Sequence, residues 1–399
     1  MTPKLTYHGP ALFSFGFRPF FLSAVLFALV AIPLWWAVWR GDVGLASAFA
    51  PSDWHSHEMV FGYGAAVVAG FLFTAVPNWT GRMPTRGWPL MVLLAIWVAG
   101  RVAMAGLTGL SALWVLAVDQ LFLLAVAAMI AREIVAGRNW RNLKVLVPVT
   151  LLWLSNVLFH VEAMTHGVAD YGRRGGIALL VFLIMLIGGR IVPSFTRNWL
   201  AARRSSWLPV PFNRLDMVAI AVGAVTLVLW VVVPESLACG MLGAVAAVLH
   251  LVRLLRWKGI ATFGMSLLLM LHIAYFFVPL GFAGVALVAF GLAGPAFGVH
   301  LFGIGAVGGM TVAVMMRATM GHTGRELEAG PLLTLAFNLV LGAALLRLGG
   351  GRMVLPGMDG VTLSALAWTF AFALLAIRLG PWLARPKVAA RRPSGRRVT

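Results

Sequence analysis

Runs of about twenty apolar residues, bounded by charged residues or by Gly and Pro, recur along the whole chain, and each is long enough to cross a hydrocarbon core of roughly 30 Å. Only two kinds of structure satisfy every backbone hydrogen bond in such a solvent, the helix and the closed barrel. A barrel would show alternating segments of about ten residues, and these are absent. With 61% hydrophobic and 11% charged residues, against about 25% charged in a soluble domain, the sequence predicts an all-α, polytopic membrane helix bundle. Residues 1–399 read as a single integral-membrane domain of about twelve transmembrane helices by the length criterion. Their expected starts lie near Phe17, Ser56, Trp88, Ser111, Lys144, Gly175, Leu215, Ser236, Ala261, Phe297, Pro331 and Val361. The stretch "GFAGVALVAFGLAGPAFG" fits either a long loop with a helix or part of an extra short span. Ser194 to Arg214 is the longest polar connection and is expected to lie along the interface. The first run, Pro19 to Trp39, exceeds a usual signal h-region of about 7–15 residues and is read as a retained span.

Charge sets the expected orientation. The 31 Lys and Arg outnumber the 12 Asp and Glu for a net charge of +19. Most of the basic residues occupy short connections or the tail "RPKVAARRPSGRRVT", expected to be a disordered cytoplasmic extension from about residue 385. That placement argues against nucleic acid as a partner and for topology setting. Counted over twelve spans, it leaves mainly Arg40, Arg173, Arg174, Arg347 and Arg352 on the outer side, so both termini are expected in the cytoplasm.

The chemistry rests on histidines. Cys239 is the only cysteine, which excludes a disulfide, a four-thiolate cluster and CxxCH haem attachment. His55 and His57 open the second span on the outer side. His160 lies roughly 9 Å below the outer end of the fifth, at about 1.5 Å per residue, and His166 lies at that end. His300 is near the outer start of the tenth span, and His272 is expected near the midplane. His8, His250 and His322 fall on the cytoplasmic side. A single membrane histidine is as often a packing group as a ligand. Several converging at one depth, with few carboxylates to pair with, point instead to metal, because neutral imidazole is the commonest protein metal ligand. In a dry, cysteine-free site the usual metals are haem iron and copper.

The expected ligands are His57, His160, His272 and His300, with His55 next. His55 and His57 point about 200° apart on a regular helix and chelate one ion only if the turn at "PSDWHSH" is unwound; otherwise one faces the bundle and the other the outer solvent. Asn156, one turn before His160, is placed to orient an imidazole or to bond between helices. Arg101 either meets a haem propionate or snorkels. Asp119 and Gln120 read first as interhelical hydrogen-bonding groups, with a proton path as the other reading. "GIGAVG" (Gly303 to Gly308) matches a dinucleotide fingerprint but lies in a hydrophobic span with no strand before it. Gly305 and Gly309 there form a small-xxx-small pair that allows close helix approach.

"FGFRPFFLSAVLFALVAIPLWW", "WHSHEMVFGYGAAVVAGFLFTAVPNWTGR", "LIGGRIVPSFTRNWL" and "HLFGIGAVGGMTVAVMMRATMGHTGREL" resemble the NnrS family of bacterial membrane proteins over essentially the full length. The resemblance implies a multi-pass protein of the bacterial inner (cytoplasmic) membrane. It also implies non-covalent b-type haem, copper, and protection against nitric oxide and nitrosative stress. Its partners would be the lipid bilayer, nitric oxide and, if the gas is turned over, a membrane electron donor or quinol. Whether nitric oxide is turned over or only bound is left open. The alternative is a multi-span transporter for a metal, haem or small anion that uses the same histidines.

Overall fold

The structure, a computed structural model, describes residues 7–388; most of the expected basic extension lies outside them. Among the described residues, eleven helices are long and apolar enough to span a membrane. They are α1 (Phe17–Arg40), α2 (Pro51–Thr80), α4 (Ala112–Ala136), α5 (Asn142–His166), α6 (Asp170–Ala202), α7 (Arg214–Val232), α8 (Leu237–Leu255), α9 (Ser266–Ala289), α10 (Ala296–Thr323), α11 (Gly330–Arg347) and α12 (Gly360–Ala384). A shorter apolar helix, α3 (Trp88–Met104), completes the set. The strands β1 (Met353–Leu355) and β2 (Met358–Asp359) pair as a small hairpin between α11 and α12.

Helix ends follow local chemistry. Asn213 and Asp216 form a capping box at the start of α7, and the side chains of Ser236 and Asp359 cap α8 and α12. Gly41, Gly81, Gly167 and Gly324 take left-handed conformations just past α1, α2, α5 and α10, a backbone region that is strained for a residue with a Cβ.

Two expected boundaries shift. The helix carrying His55 and His57 begins at Pro51 rather than near Ser56, because Pro suits the first turn, where no N–H is needed. Beyond Pro193, α6 continues to Ala202, so only 203–213 remains as a connection and Ser194–Ala202 prolongs a span. The ambiguous stretch near residue 285 resolves into one helix, since α9 runs through Pro279 to Ala289 before Gly291, Gly294 and Pro295 turn the chain into α10.

The bundle closes on itself through α1 and α12. Arg18 Nη1 donates to the carbonyls of Leu383 (2.9 Å) and Arg385 (2.6 Å), so the start of the first helix and the end of the last share one face. That face also carries the Arg82–Glu133 ion pair (2.7 Å); we call it the basic face, and the face with the β hairpin the opposite face. The centre is built from α2, α6, α9 and α10, which bury 61–72% of their most apolar stretch, against at most 50% for the other long helices. Three of these four contain π-helical turns: Glu58–Gly64 in α2, Ile184–Gly188 in α6 and Leu301–Gly308 in α10. Such turns are rare and often sit at functional sites.

Candidate metal centre

Near the opposite face, α2, α3, α4 and α5 bring their polar side chains to one buried cluster. His57 lies in the second turn of α2, immediately before the π turns, and its ring is fully buried. Its Nδ1 is 2.9 Å from Glu58 Oε1, and its Nε2 is 3.1 Å from Asp119 Oδ2 and 2.9 Å from Asn156 Oδ1. His160 Nε2 approaches the same Asp119 oxygen at 3.2 Å, and Asn156 Nδ2 donates to it at 2.8 Å. Arg101, from the last turn of α3, donates through Nη1 to Glu58 Oε1 and through Nη2 to Asp119 Oδ1.

Helix geometry explains the convergence. Asn156 and His160 are four residues apart and share a face of α5. The α3–α4 turn places Arg101 and Asp119 near one end of antiparallel neighbours. The carbonyl of Gly62, in the π segment, accepts Trp97 Nε1 at 3.1 Å, tying α2 to α3. A Cβ on Gly62 would come within 2.7 Å of Arg101 Nη1, so glycine leaves room for the guanidinium. Phe49, in the α1–α2 connection, roofs the cluster, with ring centroids 6.2 Å from His57 and 5.2 Å from His160.

The charges do not cancel among fixed groups: two carboxylates face one guanidinium, leaving one negative charge beside two imidazoles. Both nitrogens of His57 face acceptor oxygens, so each is a place for a proton or a cation. Glu58 Oε2 and His160 Nδ1 are buried without a hydrogen-bond partner, which is costly unless something else pairs with them. One ligand atom from each of His57, Asp119 and His160 can be chosen so that all lie within 4.8 Å of one another. An excess negative charge with two imidazole nitrogens and a carboxylate oxygen fits a divalent transition metal, copper included. In that arrangement Asn156, Glu58 and Arg101 orient the donors and balance their charge, as second-layer partners of metal-ligating histidines do.

On the other side of α2 lies a cavity of about 420 Å³ between α1, α2, α6, α10, α11 and α12, lined in part by His55, His300, Arg347, Trp35 and Trp368. His55 faces this cavity rather than outer solvent, because α2 is regular helix at this turn and carries His55 away from His57. Its ring stacks on Trp35 at 4.2 Å between centroids. His300 Nδ1 donates to Ala296 O at 2.7 Å, and Arg347 Nε donates to His300 Nε2 at 3.1 Å.

The expected ligands therefore divide among three places. His57, His160 and Asn156 join the cluster, where Arg101 is engaged by two carboxylates. His55 and His300 face the cavity. His272 stands apart in the second turn of α9, with Nε2 2.8 Å from Thr196 Oγ1. A 3-10 turn at Gly259–Thr262 precedes α9 and packs Gly259 against the His272 ring. The sequence reading missed Asp119 as a potential ligand; its available signal was a carboxylate and an arginine near the same end of two successive spans. His250 belongs to another buried network, with Nδ1 3.0 Å from Tyr275 Oη, while Arg253 bonds Tyr275 Oη at 2.8 Å and Asp216 at 2.9 Å.

Compared with known proteins, the chain matches the family described as NnrS protein over residues 11–387. No curated protein matches it.

Proposed function

The chain belongs to the NnrS family, and from that premise we propose that it is a haem- and copper-containing protein of the bacterial inner membrane that protects the cell against nitric oxide. The observation that carries this reading is the buried group of His57, Asp119 and His160, whose donor atoms can lie within 4.8 Å of one another in surroundings that carry one negative charge in excess. Copper fits this set, with His57 and His160 as nitrogen ligands and Asp119 as the oxygen ligand. Haem is held non-covalently, since the lone Cys239 cannot form a CxxCH attachment. Bound in the bundle, these metals supply nitric oxide binding and one-electron chemistry.

The residues contribute orientation and dryness. Asn156 and Glu58 fix the His57 ring, Arg101 holds both carboxylates, and Phe49 keeps outer solvent from the imidazoles. Nitric oxide is small, uncharged and lipid-soluble, so it reaches such a site laterally through the bundle with no polar vestibule. The test is the visible spectrum and metal content of the purified chain. The expected result is a Soret band with stoichiometric iron and copper, and loss of copper in His57→Ala and His160→Ala. A colourless, metal-free protein that moves a metal, haem or anion across vesicles would replace this reading with the transporter.

A further inference from the structure

The cavity on the far side of α2 has the makings of a second binding site, independent of the His57 cluster. Its volume, about 420 Å³, lies within the roughly 300–1,000 Å³ usual for cofactor pockets. Flat and branched apolar side chains such as Trp368, Ile304 and Val307 form much of its wall. At the end toward the opposite face it carries Arg173, Arg174 and Arg347 together with Glu235; Arg173 and Arg174 already pair with Asp53 and Asp170, and Arg347 is the arginine left to meet an occupant. An occupant matched to these surroundings is mostly apolar, with negative charge gathered at one edge.

The imidazoles narrow the class. Because His300 Nδ1 donates to the carbonyl of Ala296, one turn back on its own helix, its Nε2 carries the lone pair. A carbonyl on one ring nitrogen is the usual device for orienting the other toward a metal. That lone pair now accepts from Arg347 Nε at 3.1 Å, and Arg347 also lies over the Trp35 ring, 5.5 Å from its centroid. His55 stacks on the same indole and makes no side-chain hydrogen bond among the described residues, so its ring nitrogens are uncommitted. Two imidazoles from different helices, a guanidinium within reach of both, and apolar walls are thus gathered around one tryptophan. A bare cation has no use for the apolar volume or the arginines. A neutral quinone leaves the Arg347 guanidinium without counter-charge, and a phospholipid leaves the imidazole lone pairs without a metal.

We propose that this cavity is the site of an iron tetrapyrrole bearing carboxylates, with His300 and His55 as the imidazoles offered to its iron and Arg347 as the partner of its carboxylates. Arg347 exchanges the His300 nitrogen for a carboxylate, freeing the lone pair for iron. The assignment rests on the reading that the protein carries haem, and it locates that haem away from the copper ligands. The experiment measures haem by pyridine haemochrome and copper by elemental analysis on the same full-length preparations, each checked for monodispersity in detergent. His300→Ala and His55→Ala are expected to lower haem per chain about tenfold or more and to keep copper; His57→Ala and His160→Ala are expected to do the reverse. For His300→Gly, added imidazole is expected to restore the Soret band, which separates a lost ligand from a lost fold. Haem retained with an unshifted Soret band in both His300→Ala and His55→Ala, or lost in His57→Ala instead, overturns the location while leaving the haem reading standing. A wild-type preparation without iron overturns both.

Discussion

At the scale of single residues, the cluster is a problem in charge pairing away from water. Arg101 is held by Glu58 and Asp119 at positions no more than 8% exposed. Removing one partner of a buried pair strands the other charge and typically costs about 3–5 kcal/mol. Arg101→Met, which leaves two carboxylates face to face, is therefore expected to lower stability by about that amount, read as thermal unfolding in detergent. Asp119→Asn keeps the shape and removes the negative charge shared by Arg101, His57 and His160. Its expected signature is loss of copper, since a ligand oxygen and its charge are removed together, with the Soret band unchanged. Because the ligands must shed protons to bind metal, copper occupancy is expected to fall as pH is lowered; titration at fixed free copper checks this. The sequence announced the histidines, since ionisable groups in apolar runs stand out. It could not divide them, because depth follows from counting residues whereas azimuth depends on which helices become neighbours. Hence His57 and His300, both near the outer ends of their spans, belong to different sites. Asp119 was visible as a buried carboxylate, but its pairing with Arg101 and two imidazoles required the packing of four helices.

Among the elements, hydrophobic length made the helices legible, and the π turns were not. Hydropathy registers that a segment is buried but not whether its N–H groups reach back four residues or five, so the wide turns in α2, α6 and α10 leave no mark in the apolar pattern. Glycine spacing carried more information. In α10, Gly305 and Gly309 face α9: a Cβ on Gly305 would come to 2.0 Å from Phe277 Cδ1, and one on Gly309 to 3.3 Å from Ala274 Cβ. Gly305→Ala is expected to destabilise by about 1–3 kcal/mol through overpacking, although the same change normally favours a helix. Gly342→Ala in α11, where a Cβ meets nothing within 4 Å, is expected to stabilise by about 0.5–1 kcal/mol. Unfolding midpoints of the two variants, measured side by side, test whether α9 and α10 touch as described.

For the molecule as a whole, the bond from Arg18 to the end of α12 puts both ends of the described bundle on one face, as an even number of crossings requires once the shorter α3 is counted with the eleven long helices. The distribution of Lys and Arg predicts that this face is cytoplasmic. With Cys239→Ser as background, Trp207→Cys in the 203–213 connection is expected to react with an impermeant thiol reagent only after cells are opened, and Met353→Cys in the β hairpin in intact spheroplasts. The reverse pattern would invert the molecule. The helices themselves were readable in advance, because span length is a property of the chain alone. The separation of the buried cluster from the cavity was not, since it arises from where α2 runs among its neighbours. That helix presents His57 to the cluster and His55 to the cavity from a single stretch of regular turns. Those few turns are therefore a shared partition: a sideways shift that brings one ring closer to its own site draws the other back from its site.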